Sequence, residues 1–402
     1  MAMKEIYLLS VKSSSTRTGI ISDIIEVTAP FKVKILDISQ SEIHDMLSLG
    51  MLVEVTRDDS QKLFKELVFL SHRMQLEVQF TPVSLPAYEN MVKSQRVSRF
   101  TVTVLARSLE ARQMSMCTKI IAEHGLNIDQ IVRLSDLYSL TRINMANARS
   151  AFQLHVSGLP NQLERMREEL YKISMVEPID LAVQEDDLFR RNRRLILFDM
   201  DSTLIQCEVI DELAKCAGVG EQVAEITEAA MRGELNFKES FHARIALLKG
   251  MPETVLQGIA DTLPITEGAP RLISNLKRLG YKVGILSGGF TYFAERLQKE
   301  LGIDYVFANE LDFVDGKLTG KVKGEIVDGE RKAMLLQQIA TENGLSLKQV
   351  IAVGDGANDI PMLKLAGLGV AFHAKPKVKQ QAKVAVSTLG LDGILYLLGI
   401  RD

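Results

Sequence analysis

Cysteine is scarce in this chain, with 3 in 402 residues. Cys117, Cys207 and Cys216 are too few and too scattered for a disulfide framework or a zinc site. Cys207 has no base beside it and reads as a small packing residue. An excess of either charge is also missing. Lysine and arginine number 48 against 51 acidic residues, a formal net charge of −3, so no global field favours nucleic acid or an acidic membrane. The most basic run, Arg190-Arg191-Asn192-Arg193-Arg194, follows Glu185-Asp186-Asp187 and reads as a solvated linker and strand lead-in. Long apolar runs are absent too. No stretch is long enough to span a bilayer, and no cationic-then-apolar leader opens the chain. The expectation is a soluble, cytoplasmic protein of two or three domains.

What the first half does contain is one pattern written twice. Strand, helix, strand, strand, helix, strand is read over residues 6–11, 19–27, 31–38, 51–55, 61–73 and 76–82. After a polar link around 90–95 the same order returns at 99–105, 112–123, 127–134, 151–156, 161–173 and 179–183. This order and size resemble the ACT domain, a small ferredoxin-like module that pairs edge to edge and binds amino acids at the pairing interface. The expected boundaries are 1–88 and 96–184. The turn after the first strand departs from the ligand-binding pattern. It reads Ser13-Ser14-Ser15-Thr16-Arg17-Thr18-Gly19 in the first copy and Ser108-Leu109-Glu110-Ala111-Arg112 in the second. The aspartate is missing from one and the glycine from the other. Two roles stay open: binding an amino-acid effector such as serine, or a purely structural, dimerising role that covers an exposed edge strand.

The second half is organised around Arg193-Arg194-Leu195-Ile196-Leu197-Phe198-Asp199-Met200-Asp201-Ser202-Thr203-Leu204. Its apolar run has the pattern of a strand buried on both faces of a parallel sheet. The run ends in two carboxylates one residue apart, at the edge where α/β folds bind ligands. Paired charges there are costly unless a divalent cation or a shared proton relieves them. Two further apolar runs end in small and polar residues, Ile285-Leu286-Ser287-Gly288-Gly289 and Val350-Ile351-Ala352-Val353-Gly354-Asp355-Gly356-Ala357-Asn358-Asp359, with Lys332 between them. Between 203 and 266 nothing reads as a strand. Short helices at 211–217, 221–232, 237–248 and 253–262 form an insertion expected to sit over the sheet edge as a cap. Asp315-Gly316 is a strong hairpin signal.

This ordered set resembles the haloacid dehalogenase superfamily. With Glu208 and Arg244 following, it looks like the phosphoserine phosphatase family within it, over residues 193 to the C-terminus. The fold implied is a doubly wound, Rossmann-like parallel sheet over 190–402, with a helical-bundle cap at about 205–266, behind two ferredoxin-like βαββαβ modules. The activity implied is Mg²⁺-dependent hydrolysis of O-phospho-L-serine through an aspartyl-phosphate, the last step of serine biosynthesis.

The resemblance assigns the parts, and charge explains them. Asp199 is the expected nucleophile, since a carboxylate needs no activating base at neutral pH. Asp201 is the general acid and base. Asp199, Asp355 and the backbone carbonyl of Asp201 are the expected Mg²⁺ ligands, few enough to leave room for water and phosphate. Ser287 and the amides around Gly288 and Gly289 cradle the phosphoryl oxygens, Lys332 neutralises them and Asn358 adds a donor. Thr203 and Asp359 support the site, Asp359 by orienting Lys332. In the cap, Glu208 takes the substrate ammonium and Arg244 its carboxylate, while Met231 and Phe237 close an apolar wall. His242 reads as a surface or helix-packing residue. Two rivals stay open: transfer to another hydroxyl amino acid instead of water, and an amino-acid-sensing regulator with a vestigial phosphatase half. The expected partners are the small substrate and a second copy through the ACT-like half.

Overall fold

The computed structural model describes residues 3–14, 18–94, 99–141, 148–160 and 162–402. The chain falls into two compact units, 1–97 and 98–402.

The first unit is built on β1 (Lys4–Ser13), α1 (Ile20–Thr28), β2 (Lys34–Ile43), β3 (Met46–Thr56), α2 (Arg57–Met74) and β4 (Leu76–Val83), followed by α3 (Leu85–Ser94). The antiparallel sheet runs β2-β3-β1-β4. Leu9, Val11, Met51 and Val53 meet Ile20, Ile24, Leu63 and Leu67 in one core. At α2 the Thr56 side chain accepts the Asp59 amide, an N-cap that starts the helix at a defined residue. Two features differ from the pattern reading. β3 is far longer than expected, β2 is shifted toward it, and the two meet in a tight turn at His44, whose φ is +55°. The polar link at 90–95 lies partly in helix α3, because Leu85-Pro86-Ala87-Tyr88 places proline inside the first turn, where its missing amide costs nothing.

The second unit opens with β5 (Arg99–Ala106), α4 (Ala111–Glu123), β6 (Asn127–Arg133), β7 (Ser150–Ser157), α5 (Leu163–Val176) and β8 (Ile179–Glu185). Its sheet order, β6-β7-β5-β8, repeats that of the first. The seven-stranded sheet follows: β9 (Leu195–Phe198), a helical insertion of α6 (Val209–Ala217), α7 (Gly220–Met231), α8 (Phe237–Leu247) and α9 (Val255–Ala260), then α10 (Ala269–Arg278), β10 (Lys282–Phe290), α11 (Thr291–Leu301), β11 (Tyr305–Val314), β12 (Lys317–Lys323), α12 (Gly329–Glu342), β13 (Val350–Gly354), α13 (Ile360–Leu365), β14 (Leu368–Phe372), α14 (Pro376–Gln381), β15 (Val384–Val386) and α15 (Gly393–Leu397). The order β12-β11-β10-β9-β13-β14-β15 is parallel except for the hairpin strand β12.

β9 lies at the centre of this sheet, and all four of its residues are buried. Each fully buried Leu, Ile or Phe contributes about 1.5–3 kcal/mol, which fixes a short strand that hydrogen bonds alone would not hold. Register does the rest. Phe198 lies level with Ile285 on β10 and with Val353 on β13. The residues that follow on all three strands therefore leave the sheet at one edge. Among the described residues, no helix is long and apolar enough to cross a membrane.

Candidate active site

At that edge the chain turns sharply. Residues Met200–Leu204 form a single wide helical turn in which Ser202 takes the left-handed φ of +55°. Asp199 and Asp201 both line one cavity of about 940 Å³. Asp199 is buried, its amide bonded to the Val353 carbonyl at 2.9 Å and one carboxylate oxygen accepting the Met200 amide at 2.7 Å. Its other oxygen faces the Lys332 ammonium at 2.9 Å. Lys332, with no exposed surface, also holds Asp359 at 2.7 Å. Burial disfavours this ammonium, but the Asp199 and Asp359 carboxylates outweigh it and hold the lysine above its ordinary pKa. The second Asp359 oxygen accepts the Gly356 amide at 3.0 Å, so both its oxygens are engaged.

Three carboxylates, Asp199, Asp355 and Asp359, bring one oxygen each within 4.8 Å of one another. Burial, then the charges of Asp199 and Glu208, push Asp355 up to about 7. Burial, then Glu208 and Asp199, likewise raise Asp201 well above the ordinary carboxylate range. Crowded carboxylates of this kind are what a divalent cation relieves. Thr203 donates to Asp355 at 3.2 Å, and the Val209 amide to Asp201 at 3.1 Å.

The irregular end of β10 needs its glycines for lack of room. A Cβ on Gly289 would stand 2.5 Å from an Asp201 oxygen, and one on Gly288 would stand 3.1 Å from the Phe237 ring. The Ser287 hydroxyl is buried and accepts the Gly289 amide at 2.8 Å. Behind this strand end, Asn309 donates to the Gly288 carbonyl at 2.8 Å and accepts the Val327 amide at 2.9 Å. The pattern reading missed Asn309. Its signal was weak: one amide side chain beside the acidic Glu310 and Asp312 of β11.

Over the edge sits the α6–α9 insertion. Its helix α8 starts with a capping box, Asn236 and Glu239 bonding reciprocally. The Phe241 ring, 6.0 Å from Phe237 and 6.2 Å from Phe290 between centroids, ties α8 to the end of β10. Arg244, one turn on, makes no salt bridge among the described residues; its Nε bonds the Ser240 carbonyl at 3.4 Å. Glu208 faces the same cavity and accepts the Ser202 hydroxyl at 2.7 Å. Burial raises its pKa against the pull of that hydrogen bond.

Asp199, Asp201, Glu208, Phe237, Arg244, Gly288, Asp355 and Asn358 thus line one cavity. Thr203, Ser287, Lys332 and Asp359 stand behind its wall, in contact with the residues that do. The side chain of Met231 lies outside the described residues. Asp211, Thr227, Phe290 and Lys377 also line the cavity and were not singled out from the pattern, because each looks like an ordinary helix or loop residue until the cap is folded over the sheet.

Comparison with known proteins gives the family. Residues 193–367 match the haloacid dehalogenase-like hydrolase model, and 15–81 and 98–184 each match an ACT domain model. The phosphoserine phosphatase of Mycobacterium tuberculosis is 40% identical over 398 residues, covering 98% of this chain and 94% of its own. The chain belongs to the phosphoserine phosphatase family. That of Streptomyces coelicolor is 42% identical over 385 residues, 96% of this chain and 90% of its own. The unliganded crystal structure of a probable phosphoserine phosphatase from Vibrio cholerae superposes with a TM-score of 0.58 at 37% identity, over 76% of this chain and 87% of that one. As a member of this family the chain is a phosphoric monoester hydrolase with the fold the pattern implied, and the family's phosphatases use a divalent metal.

Proposed function

We propose that the chain hydrolyses O-phospho-L-serine to L-serine and phosphate with Mg²⁺, as the final, cytoplasmic step of serine formation. The observation that carries this reading is the pairing of Asp199 with Lys332 at 2.9 Å, beneath a cavity whose far wall holds Arg244 without a salt bridge. Asp199 attacks phosphorus while the seryl P–O bond breaks, and the departing alkoxide takes a proton from Asp201. The raised pKa of Asp201 keeps that proton available. Water then attacks the aspartyl-phosphate, returns a proton to Asp201 and frees phosphate. Asp199 and Asp355, with the Asp201 carbonyl, would hold the Mg²⁺, which when bound offsets charge on the phosphoryl oxygens. Lys332, Ser287, the Gly288 and Gly289 amides and Asn358 supply the remaining donors. Arg244 and Glu208 read the carboxylate and ammonium of the substrate, and Phe237 excludes water.

The test is phosphate release from L-phosphoserine beside a panel of other phosphomonoesters, with Mg²⁺ and with a chelator. Activity should require the metal and prefer phosphoserine. Asp199→Asn should fall by at least ~10⁴-fold in kcat with the fold intact; persistent turnover would sink the mechanism. In the first module, β2 leaves Ile35, Ile38 and Ile43 exposed along a free edge, in keeping with pairing to a second copy. Light scattering tests that pairing, and inhibition by L-serine tests an effector role for the modules.

A further inference from the structure

Gly288 and Gly289 follow one another at the end of β10, so the peptide group between them has no Cβ on either flank. Such a peptide turns over at little steric cost, because glycine reaches both halves of φ. The sheet does not hold it either. The ladder with β11 passes from Leu286–Phe307 to Phe290–Asn309 with a shift of register between them. Which way the peptide oxygen points is left to side chains.

Asn309 supplies the hold from one side. It is 1% exposed, and its amide nitrogen donates to the Gly288 carbonyl at 2.8 Å and to the Gly289 carbonyl at 3.3 Å. On the other side, the Gly289 amide donates to the Ser287 hydroxyl oxygen at 2.8 Å. The C=O and N–H of a trans peptide point opposite ways, so these bonds grip one plane from both ends. Gly288, Gly289 and Phe290 line the active-site cavity, and a Cβ on Gly289 would stand 2.5 Å from an Asp201 oxygen. The grip turns two carbonyl oxygens toward a buried side chain and off an edge that must receive an anion. The Asn309 oxygen accepts the Val327 amide at 2.9 Å, two residues ahead of α12, the helix that carries Lys332.

We propose that Asn309 is a positioning residue for the phosphoryl group. It keeps both glycine carbonyls away from the phosphoryl oxygens, which a turned peptide would meet with like charge, and through Val327 it fixes the lead-in to Lys332. The inference rests on the phosphatase reading above and adds to it a residue that never touches the substrate.

Asn309→Leu keeps the volume and removes all three bonds. With Mg²⁺, its kcat/KM on L-phosphoserine should fall at least ~30-fold, and the inhibition constant of inorganic phosphate should rise at least ~10-fold. That constant separates positioning from folding: a misfolded fraction lowers the apparent kcat and leaves the constant of the folded remainder where it was. Asn309→Asp guards against a leucine variant that fails to fold. It keeps an acceptor for Val327, donates to the glycine carbonyls only while protonated, and loses that donor as it ionises. Its phosphate inhibition constant, divided by that of the parent, should therefore climb as pH rises through the raised pKa of a buried carboxyl. A parent that turns over while neither variant moves the phosphate constant overturns this proposal alone. A parent silent on every phosphomonoester takes down the phosphatase reading and this proposal with it.

Discussion

The two βαββαβ modules share a strand order, yet their sheets face different surroundings. Aligned through their own registers, Leu8, Ser10 and Lys12 of β1 correspond to Thr101, Thr103 and Leu105 of β5. Leu8 is 37% exposed, whereas Thr101 and Thr103 have no exposed surface. Likewise Glu77 of β4 is exposed and its counterpart Asp180 of β8 is 3% exposed. In the second sheet β5 and β8 are covered on both faces. Asp180 accepts the Ser387 and Thr388 amides at 2.8 Å each and the Thr388 hydroxyl at 2.6 Å, while Gln153 and Gln184 donate to the carbonyls of Tyr396 and Leu397 at 2.9 and 3.0 Å. Arg107 adds a two-pronged contact to Glu267. One fold thus serves as a separate unit in the first copy and as part of the catalytic body in the second.

The sharpest test is where the chain tolerates a cut. A chain beginning at Ser98 should keep the kcat/KM of the parent. One beginning at Arg190 loses Asp180, Gln153 and Gln184 and strands their partners, at an expected cost on the order of 5 kcal/mol or more in urea unfolding. Equal stability of the two truncations would break the comparison. Next in size is the matched pair of substitutions. Asp180→Ala should cost about 2–4 kcal/mol, because three donors lose a buried acceptor, and Glu77→Ala under about 0.5 kcal/mol.

Acidity offers a third handle. Burial raises the Asp180 pKa, against the pull of Thr388 and the two amides. The folded chain then binds that proton more tightly than the unfolded one. Stability of the second unit should therefore fall as pH rises from the ordinary aspartate value, about 3.9, through the folded value. Asp180→Asn should flatten the curve over that window, and an unchanged slope would place the titration elsewhere. The smallest effect belongs to Thr101, whose buried hydroxyl has no partner. Thr101→Val should gain up to about 1 kcal/mol, with Leu8→Val in the first module within about 0.5 kcal/mol of parent.

The same pair of strands shows how far sequence reading reaches. Val102 and Val104 alternate with threonines, and both valines lie in the core. Thr101 and Thr103 are buried as well, and alternation alone does not separate a polar side chain that faces water from one covered by another part of the chain. The sheet edge was legible for the opposite reason. Asp199, Asp355 and Lys332 are groups that no core keeps without use, and their strands announced themselves as apolar runs. Asn309, Phe241 and α14 were not legible, since each acquires its place only when distant segments meet.

Lys332 has a bearing on protein chemistry. An acylating reagent needs a neutral amine in contact with solvent, and this ammonium, wholly enclosed and held charged by Asp199 and Asp359, offers neither. It reacts only when the sheet edge opens locally. Its labelling rate by mass spectrometry, read beside an exposed lysine such as Lys119, is then a clock for that opening, set inside the site by the chain itself.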